Sequence, residues 1–268
     1  MRTLFLIGAL VSMTVTAQAE NVKLFAAGSL KAALSDVARA FKGHHQGKSR
    51  VEATFAASGL LRERIEKEKA AHVFASADLG HPRKLIDGGL AASTLFVFAR
   101  NQLCALAKPD LKVTSATLLD TLLDPAVRVG ISTPKADPSG DYAWALFAKA
   151  EAVKPGVRGI LEGKALQLTG GPASEKAPEG RNQYAWVLEK DRADIFLTYC
   201  TNAVLAQKEL PALQIVQIGP ELNVGAEYGM IVLKDAPQSA TLLARFIMGE
   251  GGQKILGQYG FGRGDTIK

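Results

Sequence analysis

Apolar residues at Leu30, Ala33, Leu34, Val37, Ala38 and Phe41 recur at helical spacing, with Lys31, Asp36 and Arg39 on the opposite side. That pattern predicts a helix with one face packed inward. The run Val22-Lys-Leu-Phe-Ala-Ala before it predicts a strand. The same order returns with a strand over 51–55 and a charged helix over 60–69, whose Leu61 and Ile65 face the core. Residues 73–78 predict a short buried strand ending in a polar turn, and a helix through 84–87 is stopped by Gly88-Gly89.

Two apolar runs, 96–99 and 103–107, are interrupted by Arg100-Asn101, which marks a first crossing between lobes. A helix over 113–123, a strand over 127–131, a polar loop over 132–140 and a helix over 141–152 follow. Residues 170–181, rich in Gly and Pro, predict a mobile loop before a helix over 182–190. Strands over 195–199, 213–218 and 229–233 come next, and helices over 239–248 and 252–259 close the chain. Strands alternating with helices imply an α/β fold with mostly parallel sheets flanked by helices, and a binding crevice at the carboxyl ends of the strands.

Arg2, the apolar run 4–15 and Ala17-Gln18-Ala19 have the order of a secretory signal peptide cleaved before Glu20, so an exported, periplasmic protein is expected. A membrane anchor is the competing reading, but the run is short for a span. A content of 47% hydrophobic and 22% charged residues excludes general disorder, and the remaining chain is long enough for two lobes with their own cores. The formal charge of +6 is spread among acids, as in Arg62-Glu-Arg-Ile-Glu-Lys-Glu-Lys69, which argues against a nucleic-acid partner while still able to steer small anions. Cys104 and Cys200 match no metal spacing, and an even count in an oxidising compartment favours a disulfide. If they pair, residues 102–106 lie beside 197–200.

The segments Phe25-Ala-Ala-Gly-Ser29 and Phe55-Ala-Ala-Ser58-Gly59 repeat one order: strand, serine, helix. A helix start exposes backbone N–H groups and the positive end of the peptide dipole, so two such ends with serine hydroxyls form a donor set for an anion. A serine before a helix is most often only a cap. The duplication, with a third glycine-flanked serine at Ser139, favours a binding role. His44, His45, His72 and His81 lack metal spacing, and no Gly-x-Ser-x-Gly elbow or phosphate loop is present. Asp137 and Asp141 fit helix-start chemistry better than acid–base catalysis. Trp144 and Trp186, at helical spacing, fit core better than an organic-ligand cleft. An exported hydrolase with Ser58 as nucleophile is the alternative of a different class.

Over nearly the whole exported chain, Phe25-Ala-Ala-Gly-Ser-Leu, Phe55-Ala-Ala-Ser-Gly-Leu-Leu, Ala75-Ser-Ala-Asp, Asp137-Pro-Ser-Gly-Asp-Tyr-Ala, Tyr199 and Tyr259-Gly-Phe resemble the periplasmic molybdate-binding proteins of ABC importers. The resemblance implies a two-lobed, monomeric receptor that is not an enzyme and has no cofactor. It implies lobe one from 20–100 and 220–268, lobe two from 101–219, a molybdate or tungstate ligand, and a membrane permease as partner. It places Ser29 and Ser58 as hydroxyl donors, Ser139 as a backbone donor, Tyr199 as the closing phenol, and a last donor at Arg181 or Asn182. Asp141 departs from the pattern, being a carboxylate where the family commonly has an apolar residue. It either opposes a dianion, with Arg181 compensating, or caps its helix and faces solvent. A same-fold receptor for a sulfate-like anion, a phosphonate or a metal chelate is the other alternative.

Overall fold

The computed structural model describes residues 20–45 and 49–265, so the expected signal peptide lies outside the described residues. Strand β1 (Glu20–Ala27) passes through a 3-10 turn (Gly28–Leu30) into α1 (Lys31–His44), and β2 (Ser49–Ala56) passes into α2 (Ser58–Glu68). β3 (Val73–Ala75) and α3 (Gly80–Asp87) lead to the long β4 (Phe96–Ala107). Then come α4 (Leu118–Leu123), β5 (Val129–Ser132), α5 (Pro138–Val153), α6 (Val157–Lys164), β6 (Leu166–Thr169) and α7 (Gln183–Glu189). The chain ends with β7 (Ile195–Tyr199), α8 (Cys200–Glu209), β8 (Gln214–Gln217), β9 (Gly225–Val232), α9 (Gln238–Met248), α10 (Glu250–Gln258) and β10 (Gly262–Arg263).

The sheet order is β2-β1-β3-β9-β4-β7-β5-β6, with β8 and β10 also paired to β4. Parallel pairing holds at both ends, in β2-β1-β3 and in β6-β5-β7. The centre differs from the mostly parallel expectation: β9 runs antiparallel to β3 and β4, and β4 runs antiparallel to β7 and β8. The polar pair Arg100-Asn101 does not break β4, because both residues pair with β9. Residues 96–102 of this one strand serve β9 and residues 103–107 serve β7 and β8, so β4 belongs to both halves of the sheet.

Helices cover the sheet through the apolar faces that the periodicity marked. Ala33, Leu34, Val37 and Phe41 of α1 are buried, as are Leu61 and Ile65 of α2. Every residue of β7 is buried, which fits a central strand covered on both sides. Among the helices that start elsewhere than expected, α4 and α5 differ by three residues or more and show the cause. α4 begins only at Leu118, because Thr114 and Thr117 exchange hydrogen bonds through their hydroxyls and amides and hold a turn there. α5 begins three residues early, with Pro138 at its first position and Asp137 as its cap. Cys104 and Cys200 are joined, Cα to Cα 4.8 Å, and tie β4 to the first residue of α8. Among the described residues no helix is long and apolar enough to cross a membrane.

Candidate functional site

The parallel ladder between β1 and β2 sets the geometry of the repeated serines. Ala27 pairs with Ala56, an offset of 29 residues, and the same offset carried two residues further relates Ser29 to Ser58. The phenylalanines of the two segments are instead 30 apart, so the exchanged order, Gly-Ser against Ser-Gly, restores the serines to equivalent places. Both follow the carboxyl ends of neighbouring strands. Each lies in the first turn of a helical segment whose cap position is an alanine, Ala27 or Ala57, so neither start carries a side-chain cap. α8, which begins directly after Tyr199, has none either. In contrast, α5 is capped by Asp137, which accepts from the Ser139 amide, and α7 by Asn182, which accepts from the amides of Tyr184 and Ala185. Of these five helix starts, three therefore lack an internal acceptor at the side chain before them, and two already have one.

These ends surround a cleft of about 760 Å³ lined by Ser29, Ser58, Asp137, Arg181, Asn182 and Tyr199 among others. Ser58 Oγ accepts from the Ala77 amide at 3.1 Å, which leaves its own proton to donate. The Ala77 carbonyl accepts from the Tyr199 phenol at 3.3 Å, so one residue after β3 joins the two. Ser29 Oγ lies 3.1 Å from the Tyr228 phenol, and Asn101 Nδ2 donates to both Tyr228 and Thr201. Burial holds the phenols of Tyr199, Tyr228 and Tyr142 far above their ordinary ionisation range. They remain neutral hydroxyl groups at physiological pH.

Across the cleft, the two halves of the sheet meet closely at α2. The Gly59 amide donates to the Ala136 carbonyl at 2.9 Å, and a Cβ on Gly59 would lie 2.7 Å from the carbonyl oxygens of Ala136 and Lys135. Only glycine admits this approach. Surfaces of this kind, concave and fitted with a few converging polar groups, are ligand sites.

A family model for the bacterial extracellular solute-binding proteins matches residues 22–262. The chain belongs to this family. Among its relatives is an uncharacterised protein of Pasteurella multocida, 34% identical over 90% of this chain and 98% of that one. A molybdate-binding protein of Mycobacterium tuberculosis is 27% identical over 92% of this chain and 87% of its own length. The solved sulfate-binding protein of Mycobacterium tuberculosis superposes with a TM-score of 0.71 at 18% identity, over 90% of this chain and 86% of that one. The family is one of binding proteins, as are the molybdate-binding relative and the sulfate-binding structure.

In this solute-binding protein, Ser29, Ser58, Arg181 and Tyr199 come to one cleft, and Ser139 sits behind its wall. The Ser139 amide is taken by Asp137 at 3.0 Å, and its buried hydroxyl has no partner. Arg181 reaches the cleft while its guanidinium is held by Glu189 at 2.7 Å and Glu209 at 2.6 Å. Asp141 is half-buried and accepts from the Lys135 amide, away from Arg181. Of the two acids at the start of α5, Asp137 is thus the one that lines the cleft, where Glu175 and Glu179 of the loop before α7 also lie, and Tyr228 and Asn101 complete the polar chain to Ser29. Sequence spacing gave no signal for Tyr228, which sits on a strand 199 residues from its partner. Burial pushes Asp137 up to about 6, with the carboxylates of Asp141 and Asp78 adding to the shift and the Ser139 amide and Ser132 hydroxyl opposing it. Among the described residues, no group of three or more His, Cys, Asp or Glu is arranged to hold a metal ion.

Proposed function

We propose that the protein is the receptor of an ABC importer that captures a tetrahedral oxyanion, molybdate or tungstate, in the cleft and delivers it to a membrane permease. The reading takes residues 1–19 as a signal peptide removed on export to the periplasm. It takes 20–100 with 220–268 as one lobe and 101–219 as the other, and treats the receptor as a monomer. The observation that carries it is the pair Ser29 and Ser58 at equivalent places beyond adjacent parallel strands, each in the first turn of a helical segment that has no side-chain cap.

Neutral donors suit a small anion that must later be released. Hydroxyl protons and backbone N–H groups stabilise its charge at fixed positions without forming the strong pair that a free guanidinium would make. Ser58, with its oxygen engaged by Ala77, offers its proton, and the Tyr199 phenol, bonded to the carbonyl of the same Ala77, lines the same cleft. Asn182 and Arg181 stand at the far wall, where closure of the lobes would bring the start of α7 toward the anion. Support for molybdate in particular comes from the Mycobacterium tuberculosis relative and from the resemblance of the motifs.

Isothermal titration with molybdate, tungstate, sulfate and phosphate tests the assignment. Molybdate and tungstate are expected to bind more tightly than the other two. Heat from neither of them, with binding of another anion, would reassign the ligand.

A further inference from the structure

Asp137 is a carboxylate in a cleft assigned to an anion, and beyond its place as the cap of α5 no cation among the described residues pairs with it. It lines the cleft beside Thr169 and Gly170 while its Oδ1 accepts from the Ser139 amide. The groups that face it are neutral or negative. They are Asp141 on its own helix, Asp78 after β3, the Ser132 hydroxyl on β5, and the phenols of Tyr184, Tyr199 and Tyr228. Among the described residues, the cations that line the cleft are Lys31, Lys176 and Arg181. Lys31 and Lys176 are exposed, and Arg181 is engaged by two glutamates. A bound dianion and an ionised Asp137 would therefore share one poorly hydrated space with no cation between them.

One proton resolves the conflict. Held on Asp137, it turns a repelling acceptor into a donor toward a ligand oxygen, as the serine hydroxyls already are. We propose that Asp137 makes capture proton-coupled, so that the cleft takes a fully ionised oxyanion only together with one proton placed between the Asp137 carboxyl and a ligand oxygen. The proton comes from solvent, no covalent bond forms or breaks, and it leaves when the anion leaves. Asp137 then determines specificity by the ligand's protonation state. Fully ionised oxyanions are held best on the acidic side of neutrality, and an oxyanion that brings its own acidic proton needs none from solvent. Burial of the side chain, which raises its affinity for a proton, is consistent with this role. The proposal rests on the oxyanion reading of the cleft.

Asp137→Asn is the diagnostic variant, because asparagine caps a helix as well as aspartate and cannot ionise. Wild type and variant are titrated with molybdate and with sulfate, both dianions at micromolar concentration from pH 5.5 to 7.5. Each titration is repeated in two buffers of different ionisation enthalpy to count protons. For whichever anion binds, wild-type affinity is expected to fall at least tenfold between pH 5.5 and 7.5, with uptake of about one proton at pH 7.5. The variant is expected to bind at least tenfold more tightly than wild type at pH 7.5, with a flat profile and no proton uptake. A flat wild-type profile without proton uptake overturns the proposal while leaving the oxyanion reading intact. A pH profile that persists in the variant assigns the proton to another group, His81 beside Asp78 first, and also overturns it. Failure of both anions to bind either protein at either pH removes the oxyanion reading, and this inference with it.

Discussion

Ser58 shows how one hydrogen bond determines what a side chain has left to offer. With its oxygen occupied by the Ala77 amide, the hydroxyl is poised as a donor, and Ser29 is steadied in a similar way by Tyr228. Ser29→Ala and Ser58→Ala are each expected to weaken anion binding by about 1–3 kcal/mol, since each removes a donor from a desolvated charge. Titration calorimetry reads the change, and unaltered affinity in both would remove them from the site. Asp137 acts on the fold as well as on the ligand. Its folded ionisation near 6 lies above the ordinary carboxylate value of about 4, so the folded state holds the proton more tightly and stability falls as pH rises from about 4 through 6. Asp137→Asn removes that loss. It is expected to stabilise the protein at pH 7.5 by on the order of 2 kcal/mol, with the gap closing by pH 4, as read by urea denaturation at the two values. The serines were legible because their context is duplicated along the chain. Asp137 was visible only as one of two acids at a helix start, and the sequence pointed to Asp141. Which of two carboxylates turns into a cleft depends on the Lys135 amide that engages Asp141 and on the close wall at Gly170, neither of which has a local signature.

Most elements with a strong face or a stop signal were legible, but α6, whose Val157 and Leu161 are buried on one face, was not read from the sequence. α1 and α9 follow their apolar stripes, and α3 ends at Gly88. α8 escaped notice because it starts at Cys200 with no turn residue after β7, and its polar and apolar residues are poorly segregated along it. β6 is four residues long with only Thr169 buried, too short and too exposed for alternation to register. The disulfide acts at this scale, since it fastens the first residue of α8 to β4 beside the Tyr199 phenol that ends β7. Its two cysteines are 96 residues apart, a separation over which a cross-link greatly restricts the unfolded chain. Replacing both with serine is expected to cost about 2–4 kcal/mol in guanidinium unfolding, and an unchanged midpoint would show the cross-link to be dispensable for folding.

At the scale of the whole molecule, the alternation of strand and helix conveyed the α/β class and the location of the cleft at strand ends. It did not convey direction in the sheet centre. Parallel and antiparallel strands that are covered on both faces have the same apolar look, so β9 between β3 and β4 has no mark in its own residues. The position of β9 has a consequence for how the chain is made. β3 and β4 each present a naked edge to the same gap, and the strand that fills it, Gly225–Val232, is synthesised after everything from Ala107 to Gln217. The inserted middle portion has all of its own strands available first, whereas the two outer portions of the chain wait for each other. A polypeptide emerging amino end first thus carries two sticky borders from the completion of β4 until β9 arrives, and neighbouring copies compete for them until the late strand slots home.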